Sequence, residues 1–180
     1  MMIFNELRKH GRLAAKRHPM YEKNKVAKIL GYVMAAFWAG YLIFFGTTFA
    51  FGFSDMVPNR EPYHVMNAVV LIFILALDFL LRVPLQKTPT QEVKPYLLLP
   101  VKRNRVIDFL LIRSGLSLFN LFWLFLFVPF SFITITKFFG ISGVITYLIG
   151  ILLLIIANNY WYLLCRTLIT VSYTHLRAHE

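Results

Sequence analysis

YHVMNAVVLIFILALDFLL, Tyr63 to Leu81, is the stretch on which the fold turns. As an α-helix rising about 1.5 Å per residue it reaches across most of the roughly 30 Å hydrocarbon core of a bilayer. Its one acid, Asp78, argues against insertion, so the balance has to be struck. Twelve Val, Leu, Ile and Phe residues lie in the stretch. At about −0.3 to −0.6 kcal/mol each, they outweigh a single Asp costing at most about +3 kcal/mol. The segment is therefore predicted to span a membrane.

The flanking sequence repeats the pattern. Apolar runs occupy 28–53, 63–81, 107–136 and 141–164, with Pro129 near the far end of the third as a kink or stop. The chain is 58% hydrophobic and only 15% charged, whereas soluble domains are nearer one quarter charged. Runs such as ILLLII do not alternate, which excludes a β-barrel. The expectation is an all-α, polytopic bundle of four spans. Residues 1–27 form a basic segment before it, with Ile3, Phe4 and Leu7 suggesting an interfacial helix; residues 28–170 form the bundle and 82–106 a loop.

Basic residues set the expected orientation. Arg8, Lys9, Arg12, Lys16, Arg17, Lys23, Lys25 and Lys28 precede or open the first run. Arg60 alone separates the first two. Arg82, Lys87, Lys94, Lys102, Arg103 and Arg105 lie between the second and third; Lys137 alone separates the third from the fourth. Rich and poor loops alternate, which predicts a cytoplasmic N-terminus and a cytoplasmic 82–106 loop. The net charge of +11 is thereby assigned to anionic headgroups rather than to nucleic acid.

Chemistry-bearing motifs are scarce. No phosphate-cradling glycine loop occurs, and Cys165 is the single cysteine. His10, His18 and His64 have no metal-ligand spacing, and Asp55 and Glu61 read as solvated charges. No enzymatic role, cofactor or metal is expected. The tail VSYTHLRAHE, 171–180, back-translates as GTC TCT TAT ACA CAT CTC CGA GCC CAC GAG, which matches a transposase-type sequencing adapter read in frame. The expectation is a non-native tail on an N-terminal fragment of a longer protein.

Three sets of polar residues fall inside the runs. Asp78 and Arg82 stand four apart on one helix side, either as a pathway group or as an interfacial pair that snorkels outward, the second being the expectation. Arg113, Ser117 and Asn120 follow an i, i+4, i+7 stripe. Asn158 and Asn159 sit in the fourth run. Both of the latter sets fit either a substrate route or hydrogen bonding between helices, with Arg113 reaching back to headgroups. Glycines 31, 40, 46 and 52 in the first run read as close-packing positions.

Between the second and third runs, TPTQEVKPYLLLP holds three prolines and then VKRNR. YLLL is too short to span and too apolar for water, so it belongs at the headgroup boundary or under a partner. Leu97-Leu98-Leu99-Pro100-Val101-Lys102-Arg103-Asn104-Arg105-Val106 resembles the cytoplasmic element between spans two and three of ABC-2 type exporter permeases. The nearest resemblance is to a poorly characterised bacterial family of ABC-2-like membrane proteins. SGLSLFNLFWLFLFVPF, Ser114 to Phe130, is similar to that family's third span.

The resemblance implies a permease in a bacterial plasma membrane, driven by a separate ATP-binding-cassette ATPase. Leu99, Pro100, Lys102, Arg103 and Arg105 would contact that ATPase, and a homodimer or a second permease half would complete the transporter. Such permeases have about six spans per half, against four here. The alternative from charge alone is a membrane scaffold or regulator whose basic loops bind anionic lipid. An ion-coupled carrier would need ionisable groups nearer mid-membrane and an inverted repeat.

Overall fold

The computed structural model describes residues 25–56, 61–86 and 103–177, together with Lys9 and Leu13; for 171–177 it describes the backbone alone. Among the described residues every regular element is helical. Helix α1 is Lys25–Met56. The second passage comprises α2 (Pro62–Val65), a π-helical turn π1 (Met66–Val70) and α3 (Leu71–Leu85). Then come α4 (Arg103–Gly115), α5 (Leu118–Phe122), α6 (Leu124–Phe130), π2 (Ser131–Ile135) and α7 (Thr136–Arg177).

Among the described residues three helical stretches are long and apolar enough to cross a membrane: Ile29–Phe53, Pro62–Pro84 and Leu124–Thr170. The last has 47 residues, about 70 Å if straight, more than twice the hydrocarbon core. It is not straight. Gly140, with φ 66° and ψ −167°, interrupts the helix. Only glycine takes that conformation at little steric cost, so this residue fixes where the third and fourth passages part. Pro62 opens the second passage at a position where the missing N–H costs nothing.

The third passage departs from the expected unbroken span over 107–136. It starts at Arg103, stops at Gly115, and resumes after Ser117, whose φ of −65° and ψ of 141° are extended. The Ser117 hydroxyl accepts from the Phe119 N–H at 3.3 Å, an N-cap for the short α5. Gly-Leu-Ser is thus a stop-and-restart signal, visible in the sequence but masked by its apolar surroundings. Helix α4 buries Val106, Phe109 and Leu110, while Arg105, Asp108 and Arg113 are exposed. Pro129, which offers no N–H to the preceding turn, is followed at once by π2.

The chain divides into two compact units, Met1–Tyr41 and Leu42–Glu180. The described part of the first is helix. Phe37 stacks on Tyr41 at 6.3 Å between centroids, and Trp38 meets Tyr41 edge-on at 5.8 Å. In the second unit, Leu42, Ala50, Met66, Ile74, Leu126, Phe127, Phe130 and Ile155 form one apolar core. Gly46 lies against the Leu126 carbonyl, so no side chain fits there. Of the four glycines read as packing positions, Gly46 makes such a contact, and a Cβ at Gly31, Gly40 or Gly52 would meet nothing within 4 Å. Phe44, Ile72, Phe73, Phe132, Ile145, Leu153 and Trp161 face outward, while Asp78 and Arg82 are 0% and 1% exposed. Apolar outside and ionic inside is the arrangement that lipid, not water, stabilises. This is a membrane protein.

Candidate functional site

Asp78 and Arg82 lie one turn apart on α3, so their side chains meet. Arg82 Nε donates to Asp78 Oδ2 at 2.8 Å, and its Nη2 donates to Oδ1 at 3.0 Å. This is the bidentate fork that suits guanidinium to carboxylate. A buried pair is tolerable only if every remaining donor and acceptor also finds a partner. Here each one does.

Arg82 Nη1 donates to Asn159 Oδ1 at 2.7 Å and to Gln86 Oε1 at 3.1 Å, and Nη2 also donates to Asn120 Oδ1 at 2.8 Å. Arginine has five N–H donors, and all are used. The guanidinium carbon also sits 5.0 Å from the centre of the Phe119 ring, a cation–π contact. On the acid, Trp123 Nε1 donates to Oδ1 at 2.9 Å and Asn158 Nδ2 donates to Oδ2 at 2.8 Å. Each carboxylate oxygen therefore accepts two hydrogen bonds. In this arrangement Asp78 has no vacant site for an ion.

The network reaches the break between α4 and α5. Where α4 stops, its last carbonyls lose their helical donors. Asn120 Nδ2 replaces them, donating to Ser114 O at 3.1 Å and Gly115 O at 2.7 Å, while its oxygen accepts from Arg82. Gln86 Nε2 and Asn159 Nδ2 donate to Ser114 Oγ at 2.9 and 3.0 Å. Tyr160 on α7 donates to the Leu111 carbonyl at 3.2 Å. Broken backbone at membrane depth needs protein partners of this kind. One buried ion pair thus joins the second passage, the break in the third, and the fourth.

The sequence expectations fare unevenly against this geometry. Asp78 and Arg82 do face each other, but they point inward; Arg82 does not snorkel. Asn158 and Asn159 bond between helices. The stripe of Arg113, Ser117 and Asn120 is dispersed: Arg113 is exposed, Ser117 caps α5, and Asn120 alone joins the pair. The cause is the break at Leu116, which cancels the helical spacing on which the stripe depended. Gln86, Ser114 and Trp123 were missed. Gln86 continues the four-residue rhythm of Asp78 and Arg82, and an indole N–H in an apolar run wants an acceptor, so two of the three had a legible signal.

Arg103 opens α4 and Arg105 is exposed upon it, whereas Leu99, Pro100 and Lys102 lie outside the described residues, as does the suggested interfacial helix around Ile3, Phe4 and Leu7. Among the described residues no group of three or more His, Cys, Asp or Glu comes together. His64 is exposed, 3.9 Å from Glu61.

A helical membrane protein in which three passages are locked round a saturated Asp–Arg pair is the class that fold and site define. Over residues 12–176 the sequence matches a family described as a family of unknown function, DUF5687, and the chain belongs to that family. No curated protein and no solved structure matches it.

Proposed function

We propose that this chain is the transmembrane permease subunit of an ATP-binding-cassette exporter in a bacterial plasma membrane, driven by a separate cytoplasmic ATPase. The observation that carries the reading is the path of α4. It begins at Arg103, directly after the proline-stopped basic segment, and ends at the break tied to Asp78 and Arg82. Thirteen residues of helix make a strut about 20 Å long. Force applied at Lys102, Arg103 and Arg105 would travel along it to a buried network holding three passages. A basic surface is also suited to an acidic patch on a soluble partner.

The subunit itself performs no chemistry on nucleotide, and a second copy or second permease half completes the translocation route. The abundance of Lys and Arg in the 82–106 loop and the N-terminal segment supports a cytoplasmic side for both.

Changing Lys102, Arg103 and Arg105 together to Glu is expected to abolish co-purification of an ATPase with the detergent-solubilised protein. Undiminished association would overturn the coupling role. Binding to anionic vesicles that falls with salt and ignores Pro100→Ala, with no ATPase captured, would favour the lipid-binding scaffold instead.

A further inference from the structure

At the Gly140 end of the second unit, remote from the ion pair along α3 and α7, a cavity of about 430 Å³ opens between the second passage and α7. Its size falls within the range of small-molecule sites, about 300–1,000 Å³. We propose that this cavity binds an uncharged, hydroxyl-bearing lipid amphiphile.

The walls decide the class. Tyr63, Ile135, Phe139 and Tyr147 supply aromatic and aliphatic surface, and Ser142 and Thr146 add hydroxyls. No lining residue is charged, so nothing in the walls would pair with an ionised headgroup. Two of the lining hydroxyls are already committed as donors. Tyr147 donates to Asn67 Oδ1 at 2.9 Å, and Thr146 donates to the Ser142 carbonyl at 3.0 Å. What the two oxygens still offer is acceptor capacity. The complementary ligand group is a donor, which a hydroxyl provides and a phosphate diester or carboxylate does not. Access is from lipid, since Phe138, Phe139, Ile141 and Ile145 beside the cavity are exposed apolar residues on a spanning stretch.

Two π-helical turns and a helix break flank the cavity. The turn π1 follows Tyr63 almost at once and contains Asn67; π2 ends at Ile135; Gly140 breaks the helix between Phe139 and Ser142. Single π-helical turns concentrate at functional sites.

The test uses the full chain in lipid nanodiscs with a photoactivatable, alkyne-tagged monoacylglycerol. Matched probes are the corresponding fatty-acid methyl ester, which has no donor, and a phosphatidic acid, which is charged. Label from the monoacylglycerol is expected to concentrate on the peptide covering Phe139–Tyr147 and to exceed the methyl ester there about fivefold, the worth of roughly one hydrogen bond. Thr146→Val, which keeps the shape and removes the acceptor, should lower that labelling by a similar factor. Thr146→Phe, which fills the space, should abolish it, with labelling at Ile72 and Phe73 unchanged in both variants. Equal labelling by all three probes, or label spread evenly over exposed helix faces, would mean annular lipid contact only and overturn the site. Preference for the phosphatidic acid would overturn the uncharged class. Should Thr146→Phe fail to fold, Thr146→Val decides alone: unchanged labelling sinks the proposal.

Discussion

The third passage is broken before its apolar stretch and again after it, and the two breaks are built on opposite principles. At Gly115–Ser117 the freed carbonyls are held by Asn120, and Asn120 by a buried arginine that also bonds Asp78, Gln86 and Asn159. Gly115 itself has no room: a Cβ there would come 2.6 Å from the Tyr160 hydroxyl. At Gly140 a left-handed backbone residue makes the turn by itself, and a Cβ would meet nothing within 4 Å. The first break is a keystone that cannot shift without unseating charges. The second is a local turn whose cost is only conformational. A membrane helix can thus be interrupted cheaply near an end, where lipid gives way to headgroups, but deeper interruption has to recruit polar partners from other helices.

That contrast can be broken most forcefully at Arg82. Arg82→Met strands the Asp78 carboxylate and is expected to destabilise the protein by about 3–5 kcal/mol in chemical unfolding from mixed micelles. The double change Asp78→Leu with Arg82→Met removes both charges and should recover most of that loss. A double variant as unstable as the single would mean that the neutral network, not the ion pair, carries the effect. Next in size, Gly115→Val forces the Tyr160 side chain away and should cost about 2–3 kcal/mol. Tyr160→Phe in the same background, by vacating the space of the hydroxyl, should return part of it.

At the other break the effects shrink. Gly140→Ala places a side chain at positive φ without any clash, for about 1–2 kcal/mol. A loss as large as that at Gly115 would erase the distinction between the two breaks. Smallest of all, Tyr147→Phe removes one hydrogen bond to Asn67 and should cost about 0.6 kcal/mol, the average for such bonds between membrane helices.

How much of this was legible in advance depends on sequence distance. The pairing of Asp78 with Arg82 follows from a spacing of four on one helix, and it was read correctly as a pair. Its burial was misread because Asp78 stands near the end of the apolar run, while the helix continues to Leu85 and keeps Arg82 inside. Asn159 lies 77 positions from Arg82, and no local rule joins them. Arg113 was selected in place of Ser114, its neighbour, because a helix assumed continuous turned the wrong residue inward.

By itself the sequence determined the class of molecule. Long apolar runs must leave water, the backbone within them must form helices to satisfy its own polar groups, and basic clusters mark the ends. These consequences are additive over neighbouring residues, so composition and order suffice. Only the tertiary structure decided which polar side chains were partners. A buried donor or acceptor is satisfied by geometry within about 3 Å, and that geometry came from α3, α5 and α7 meeting round a single guanidinium.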